Sequence, residues 1–85
     1  MNGYIIKVTN KLTNEEKFVK SYTIELGNIS VDLIEDINQA YVVVDDELTN
    51  ILLTCILSAI DYQYGDNVTK KVIKVERETK VVTNE

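Results

Sequence analysis

The sequence predicts a small α+β domain, with a mostly antiparallel sheet in the order β-β-β-α-β and one long helix packed on it. Two patterns predict this class. Residues 4–9 and 16–25 are rich in β-branched and aromatic side chains, and residues 46–61 repeat apolar side chains at helical spacing. A chain of 85 residues buries only about 60 to 65% of its unfolded surface. We therefore expect residues 1–85 to form a single domain, with a frayed tail from about residue 79.

The first two strands are expected to form an antiparallel hairpin across the polar residues 10–15. Strict alternation places two sets of side chains on shared faces, namely Tyr4, Ile6 and Val8 in the first strand and Phe18, Lys20, Tyr22 and Ile24 in the second. Both strands also carry lysines, which predict that one face of the sheet contacts water. Residues 26–28 end the second strand, because Gly27 and Asn28 tolerate the positive φ of a turn.

The chain after this turn gives weaker signals. Residues 31–39 are too irregular to predict a strand, and a short helical turn is expected around Asp36. Residues 40–44 form a short apolar run, which is typical of an inner strand buried on both sides. Gly65 and Asp66 are expected to end the long helix, and residues 68–77 alternate as a final strand.

The predicted helix has more apolar residues than one core-facing stripe needs. The stripe at the i, i+3, i+4 spacing consists of Leu48, Ile51, Leu52, Cys55, Ile56, Ala59 and Ile60. Leu53 and Leu57 widen it, and leaving both in water would forgo roughly 3 to 5 kcal/mol. We therefore expect a homodimer with Leu53 and Leu57 in its interface. The alternative is that residues 31–37 cover these leucines within one chain.

The residue types that are missing exclude most catalysis. Histidine is absent, which removes the usual general base and every Ser-His or Cys-His pair. The lone Cys55 lies in an apolar run and is expected to be a small buried hydrophobe. Asp45, Asp46 and Glu47 could in principle hold Mg²⁺ or Ca²⁺, but they lack the ligand alternation and glycine of a calcium loop, and Asp45 or Asp46 is expected to cap the helix instead. No enzyme activity, catalytic residue, metal or cofactor is expected.

The charges are unevenly distributed along the chain. All nine basic residues lie within residues 7–20 or 70–80, whereas residues 21–69 hold nine acidic residues and no basic one. One interpretation is a contiguous acidic surface that meets a basic protein partner; the other is a solvated surface that keeps the protein soluble. The candidate acidic contacts are Asp32, Glu35, Asp36, Asp45, Asp46, Glu47, Asp61 and Asp66. The net charge of −5 argues against direct nucleic-acid binding.

Three tyrosines are candidate anchors for the same partner, because tyrosine combines a large contact area with a polar tip. They are Tyr41, Tyr62 and Tyr64. The alternative is that they cover the edge of the core. No secretory signal precedes the first strand, and residues 48–60, the uncharged stretch at the hydrophobic maximum, are shorter than the roughly 18 to 20 residues of a membrane span. A cytoplasmic protein without a membrane partner is expected.

One resemblance concerns three segments. They are Tyr4-Ile5-Ile6-Lys7-Val8, Lys17-Phe18-Val19-Lys20, and Asp36-Ile37-Asn38-Gln39-Ala40-Tyr41-Val42-Val43, which leads through Asp45-Asp46-Glu47 into the helix. Together they resemble small proteins of phages and prophages of low-GC Gram-positive bacteria. The resemblance implies a protein that binds and inhibits a host protein in the bacterial cytoplasm. Anti-CRISPR proteins are such a group, and several are similar to DNA in surface charge.

Two functions from different classes follow. In the first, the acidic surface occupies the basic, DNA-facing site of a host defence nuclease such as a CRISPR effector. In the second, the chain is a dimeric interaction or scaffolding module that uses its uncharged helix.

Overall fold

The computed structural model describes residues 2–76. Their elements are β1 (Asn2–Asn10), β2 (Glu16–Glu25), β3 (Asn28–Ile34), β4 (Val43–Val44), α1 (Thr49–Tyr64) and β5 (Val68–Glu76), with short 3-10 turns at Ile37–Gln39 and Gly65–Asn67. The five strands form one antiparallel sheet. The α+β class, with one long helix on a mostly antiparallel sheet, is confirmed.

β1 is the central strand of the sheet. On one side it pairs with β5 along its whole length. On the other side it pairs with two strands in turn, because Lys7 to Thr9 pair with β2 while Gly3 and Tyr4 pair with β4. β3 lies outside β2, and α1 packs against β3 and β4, which lie on opposite sides of β1 and β2 in the strand order β3-β2-β1-β4.

β3 occupies a segment for which no strand was predicted. Glu25 and Asn28 are paired, so Leu26 and Gly27 alone connect β2 to β3, with φ of 50° and 83°. Two consecutive positive φ values in a two-residue loop are typical of a type I′ hairpin. The turn predicted at residues 26–28 is confirmed, but it joins two paired strands rather than ending the sheet.

Leu26 is fully exposed and adopts a left-handed backbone conformation, which disfavours leucine by about 1 to 2 kcal/mol. Replacing Leu26 with asparagine, which favours this position of the turn, is expected to raise the free energy of unfolding by about 1 kcal/mol. Urea unfolding followed by circular dichroism measures the change. Leu12→Asn is the matched control, since Leu12 is also exposed but is not among the residues with positive φ. Equal effects of the two substitutions would contradict this assignment.

A β-bulge in β2 changes which side chains face the helix. Val19 pairs with Leu33 and Ser21 with Asp32, which leaves Lys20 as an extra residue. The prediction that Phe18 and Tyr22 share one face of the sheet is therefore wrong. Val19 and Tyr22 lie on the helix side, whereas Phe18 lies on the opposite side.

The sheet has a hydrophobic cluster on each face. The main cluster lies under α1 and contains Ile6, Val8, Val19, Val31, Val43, Ile56, Ala59 and Ile60. The smaller one, on the other face, contains Ile5, Phe18 and Ala40. The prediction that one face of the sheet contacts water is wrong at Ile5, which is fully buried. The same face is polar at the Lys7–Glu16 ion pair, whose Nζ and Oε2 atoms are 3.1 Å apart.

The connection into the helix differs from the predicted one. β4 comprises only Val43 and Val44, and Val44 is exposed, so this strand is not buried on both sides. The short helical turn predicted around Asp36 is confirmed as a 3-10 turn at Ile37–Gln39, with Asp36 as its N-cap.

The long helix begins three residues later than predicted. Its N-cap is Leu48, which provides no side-chain cap. Asp46 accepts a hydrogen bond from the Leu48 N–H at 2.8 Å, and the buried Thr49 hydroxyl accepts from the Asp46 N–H at 2.7 Å and donates to the Val44 carbonyl at 2.8 Å. Asp46 therefore stabilises the turn that precedes the helix rather than the first helical turn.

The helix ends at Tyr64, three residues beyond the predicted Asp61, and Gly65 follows it as the predicted breaker. Gly65, with φ of 60°, donates its N–H to the Asp61 carbonyl, and the chain then enters β5. The predicted alternation of β5 is confirmed through Glu76. Arg77 and the tail expected to fray lie outside the described residues.

Candidate functional site

α1 and its N-cap carry a second stripe, apolar except for one serine, whose residues lie outside the main cluster. It consists of Leu48, Ile51, Cys55, Ser58 and Tyr62, with spacings of three, four, three and four residues. This spacing keeps side chains on one side of a helix. Leu48 is 63% exposed and Ile51 is 62% exposed, so neither is used to build the core.

The β2–β3 hairpin forms a wall opposite this stripe. Tyr22, Ile24 and Ile29 line one cavity of about 280 Å³ with Leu48 and Ile51. A second cavity of about 340 Å³ continues toward the turn of the hairpin and the C-terminal part of the stripe. Ile29 and Cys55 line both cavities.

We call the surface between the stripe and the hairpin the apolar groove. Its helical wall extends from Leu48 to Tyr62, about 21 Å at the rise of an α-helix. Ile24, on the opposite wall, is also mostly exposed. Several large apolar side chains that face one depression mark an interaction surface.

The placement of the helix corrects the predicted roles of its leucines. Leu53 and Leu57 are half-buried and pack against the main cluster, so the premise that they lack a partner within the chain is wrong. Leu48 and Ile51, which were assigned to the core stripe, are the exposed ones. Cys55 is half-buried in the groove wall rather than fully buried. The homodimer through Leu53 and Leu57 stays a prediction.

The predicted acidic contacts lie in separate places. Asp45, Asp46 and Glu47, which we call the acidic loop, immediately precede Leu48 at one end of the groove. Asp61 and Asp66 lie at the other end of the helix, about 20 Å away.

The remaining acidic contacts lie away from the groove. Asp32 is on the sheet face opposite the helix, where it accepts a hydrogen bond from the Ser21 hydroxyl at 3.2 Å. Glu35 and Asp36 follow β3, and Asp36 accepts a hydrogen bond from the Asn38 N–H at 2.9 Å. The structure therefore does not bring all eight acidic residues to one contiguous surface. The sequence interval rich in acidic residues folds over both faces of the sheet.

Asp61 is the one predicted acidic contact with an ion pair among the described residues, and its partner is Lys70 of β5. This pair joins the helix to the basic part of the chain. The acidic loop directly precedes the exposed Leu48 of the groove, and the ion-paired Asp61 directly precedes the exposed Tyr62.

The three candidate tyrosines occupy different environments. Tyr41 is half-buried, and its ring makes an edge-to-face contact with Tyr22 at a centroid distance of 5.5 Å. Burial raises the pKa of Tyr41 above its ordinary value, and the neighbouring Tyr22 adds to this effect. Tyr64 is half-buried against the main cluster. Tyr62, at the end of the groove, is 88% exposed and is the tyrosine available as an anchor.

The outer edge of β3 is occupied at its centre by a side chain. The Val31 N–H donates to Oε1 of Gln63 at 2.6 Å, and Nε2 of Gln63 donates back to the Val31 carbonyl at 3.3 Å. The amide of Gln63 thus makes the two hydrogen bonds that a neighbouring strand would make.

Two further searches of the described part of the chain gave negative results. Within residues 2–76, no group of three or more Cys, Asp or Glu side chains is arranged to hold a metal ion. Over the same residues, no helix combines the length and the hydropathy that crossing a membrane requires. Comparisons with protein-family models, curated proteins and solved structures found no match to this chain.

Proposed function

We propose that this chain is a non-enzymatic binding protein that contacts a basic surface of another protein. The observation that carries the proposal is the apolar groove, at one end of which the acidic loop directly precedes the exposed Leu48. Apolar side chains supply the contact area of an interface, while charges at its border select the partner and speed its approach.

The resemblance described above supplies the class of partner. We propose a host defence nuclease, such as a CRISPR effector, in the bacterial cytoplasm. A nuclease that holds DNA presents lysines and arginines toward the phosphates. The acidic loop and the groove together would compete for such a surface without any chemistry of their own.

Charge reversal tests the proposal directly. The variant Asp45→Lys/Glu47→Lys leaves Asp46, whose carboxylate holds the turn before the helix, intact. The control Glu15→Lys/Glu76→Lys makes the same change of net charge on exposed residues outside the groove. Purification from a lysate of a low-GC Gram-positive bacterium should retain one partner with the parent chain and the control. The rate at which the first variant associates with that partner should be at least about tenfold lower than the rate of the parent chain.

Salt provides a second readout of the same experiment. Retention should weaken as salt rises, because the Debye length falls to about 8 Å at physiological ionic strength. Equal retention by the variant and the control, or retention unaffected by salt, would contradict an acidic binding surface. A retained partner that does not bind nucleic acid would overturn the nuclease assignment while leaving the binding function in place.

The dimeric scaffold is the second candidate, and the exposure of Leu48 and Ile51 favours it. Sedimentation at micromolar concentration separates the two candidates. A mass near 9.7 kDa supports a binding protein that acts as a monomer, whereas twice that mass supports the scaffold.

A further inference from the structure

We propose that the apolar groove binds an amphipathic α-helix of the partner, with apolar residues on its inner face and Lys or Arg on its flanks. This inference rests on the proposed function and specifies the element of the partner that is recognised. Three properties of the groove support it: its periodicity, the state of the adjacent sheet edge and the charge of its border.

The periodicity of the helical wall matches a helical occupant. Spacings of three and four residues repeat from Leu48 to Tyr62, as in the seams through which helices pack on one another. The small Ser58 and Cys55 lie between the large side chains at the two ends. A wall of about 21 Å accommodates about fourteen residues of a second helix.

The sheet edge beside the groove disfavours the main alternative, an added β-strand. Strand addition needs free N–H and C=O groups along an edge. At the centre of the outer edge of β3, both groups of Val31 already bind Gln63. A partner strand would have to displace this side chain, whereas a helix in the groove would contact side chains only.

The charges around the groove determine the flanks of the occupant. The acidic loop directly precedes Leu48 at one end of the groove. A second copy of this chain would bring two proteins of net charge −5 together, which is less favourable than contact with a basic partner. A helix with Lys or Arg on its flanks would instead meet the carboxylates of the acidic loop.

A designed peptide of about sixteen residues serves as the probe. It has leucine at positions spaced by three and four residues, lysine at most others and a fluorescent label for anisotropy. One control peptide replaces every lysine with glutamate, and another has the same composition in scrambled order. The parent chain is expected to bind the lysine peptide at least tenfold more tightly than either control.

Two variants locate the binding site on the chain. Ile51→Asp changes an exposed residue of the groove, and Leu12→Asp makes a matched change at a leucine that is 89% exposed in the β1–β2 loop. The first should weaken binding of the lysine peptide at least tenfold, and the second should leave it unchanged. Should Ile51→Asp fail to fold, Leu48→Asp replaces it. Equal effects of the groove variant and the control would overturn the proposal.

The single cysteine gives an independent readout on the parent chain. Cys55 lies in the groove wall, so a bound lysine peptide should slow its alkylation by iodoacetamide in proportion to occupancy. Binding without protection would place the peptide elsewhere and overturn the proposal. If the peptide does not bind but charge reversal still abolishes partner retention, the helical occupant is wrong and the proposed function stands. A dimer that Ile51→Asp dissociates would show that a second copy fills the groove.

Discussion

Replacement of Ile56 with alanine is expected to lower the free energy of unfolding by about 2 to 5 kcal/mol. Ile56 has no exposed surface and lies in the main cluster, between α1 and the sheet. The substitution removes buried methyl groups and leaves a cavity that the neighbouring strands cannot fill completely. A domain of this size has a total stability of about 4 to 13 kcal/mol, so the substitution removes a large share of it.

Ile51→Ala is the matched control on the same helix. Because Ile51 is mostly exposed, its truncation should change stability by less than about 1 kcal/mol. Urea unfolding monitored by circular dichroism measures both variants. A similar loss of stability for the two would mean that the side of α1 assigned to the core is wrong.

Replacement of Gly3 with alanine is expected to destabilise the chain by about 1 to 3 kcal/mol or more. Gly3 pairs with Val44, and a methyl group on it would come within 2.9 Å of the Val43 carbonyl oxygen and would also overlap the side chain of Val42. The carbonyl belongs to the backbone of β4, so relief requires β4 to move away from β1.

Two further variants check this explanation by unfolding in urea. Asn2→Ala, at the exposed neighbouring position, should have a small effect. Gly3→Ala/Val42→Ala should recover part of the loss, because it removes the side-chain overlap but keeps the backbone contact. Full recovery in the double variant would show that the backbone of β4 does not constrain Gly3. An unchanged stability of Gly3→Ala would contradict the close approach of β1 and β4.

The strongest local patterns predicted the fold class. The first hairpin, the long helix, the glycine that ends it and the last strand all follow from periodicity and turn chemistry. β3 was missed because Leu26 and Gly27 were interpreted as a break. Once they are taken as a two-residue turn, the alternation of Ile29, Val31 and Leu33 predicts a strand.

The faces of β2 could not be predicted from alternation. The bulge at Lys20 reverses the phase of the strand, and no residue type near it marks the insertion. It arises where β2 leaves β1 and the chain before β4 approaches β2: the Tyr41 N–H donates to the Val19 carbonyl at 2.8 Å. Such a contact depends on tertiary structure and has no local signal.

The candidate site was only partly accessible from the sequence. The spacing of Leu48, Ile51, Cys55, Ser58 and Tyr62 was visible, but which stripe of α1 faces the sheet depends on how the helix crosses it. The acidic residues were close in sequence, yet alternation along β3 places Asp32 on the far face of the sheet. The high density of acidic residues along the sequence therefore does not correspond to one continuous acidic surface in the fold.

The most direct test of the proposed binding mode measures the reactivity of Cys55 in the complex with the retained partner. Iodoacetamide should alkylate Cys55 at least tenfold more slowly when the partner is bound. Addition of salt, which releases the partner, should restore the rate of the free chain. An unchanged alkylation rate at saturating partner would contradict binding in the apolar groove.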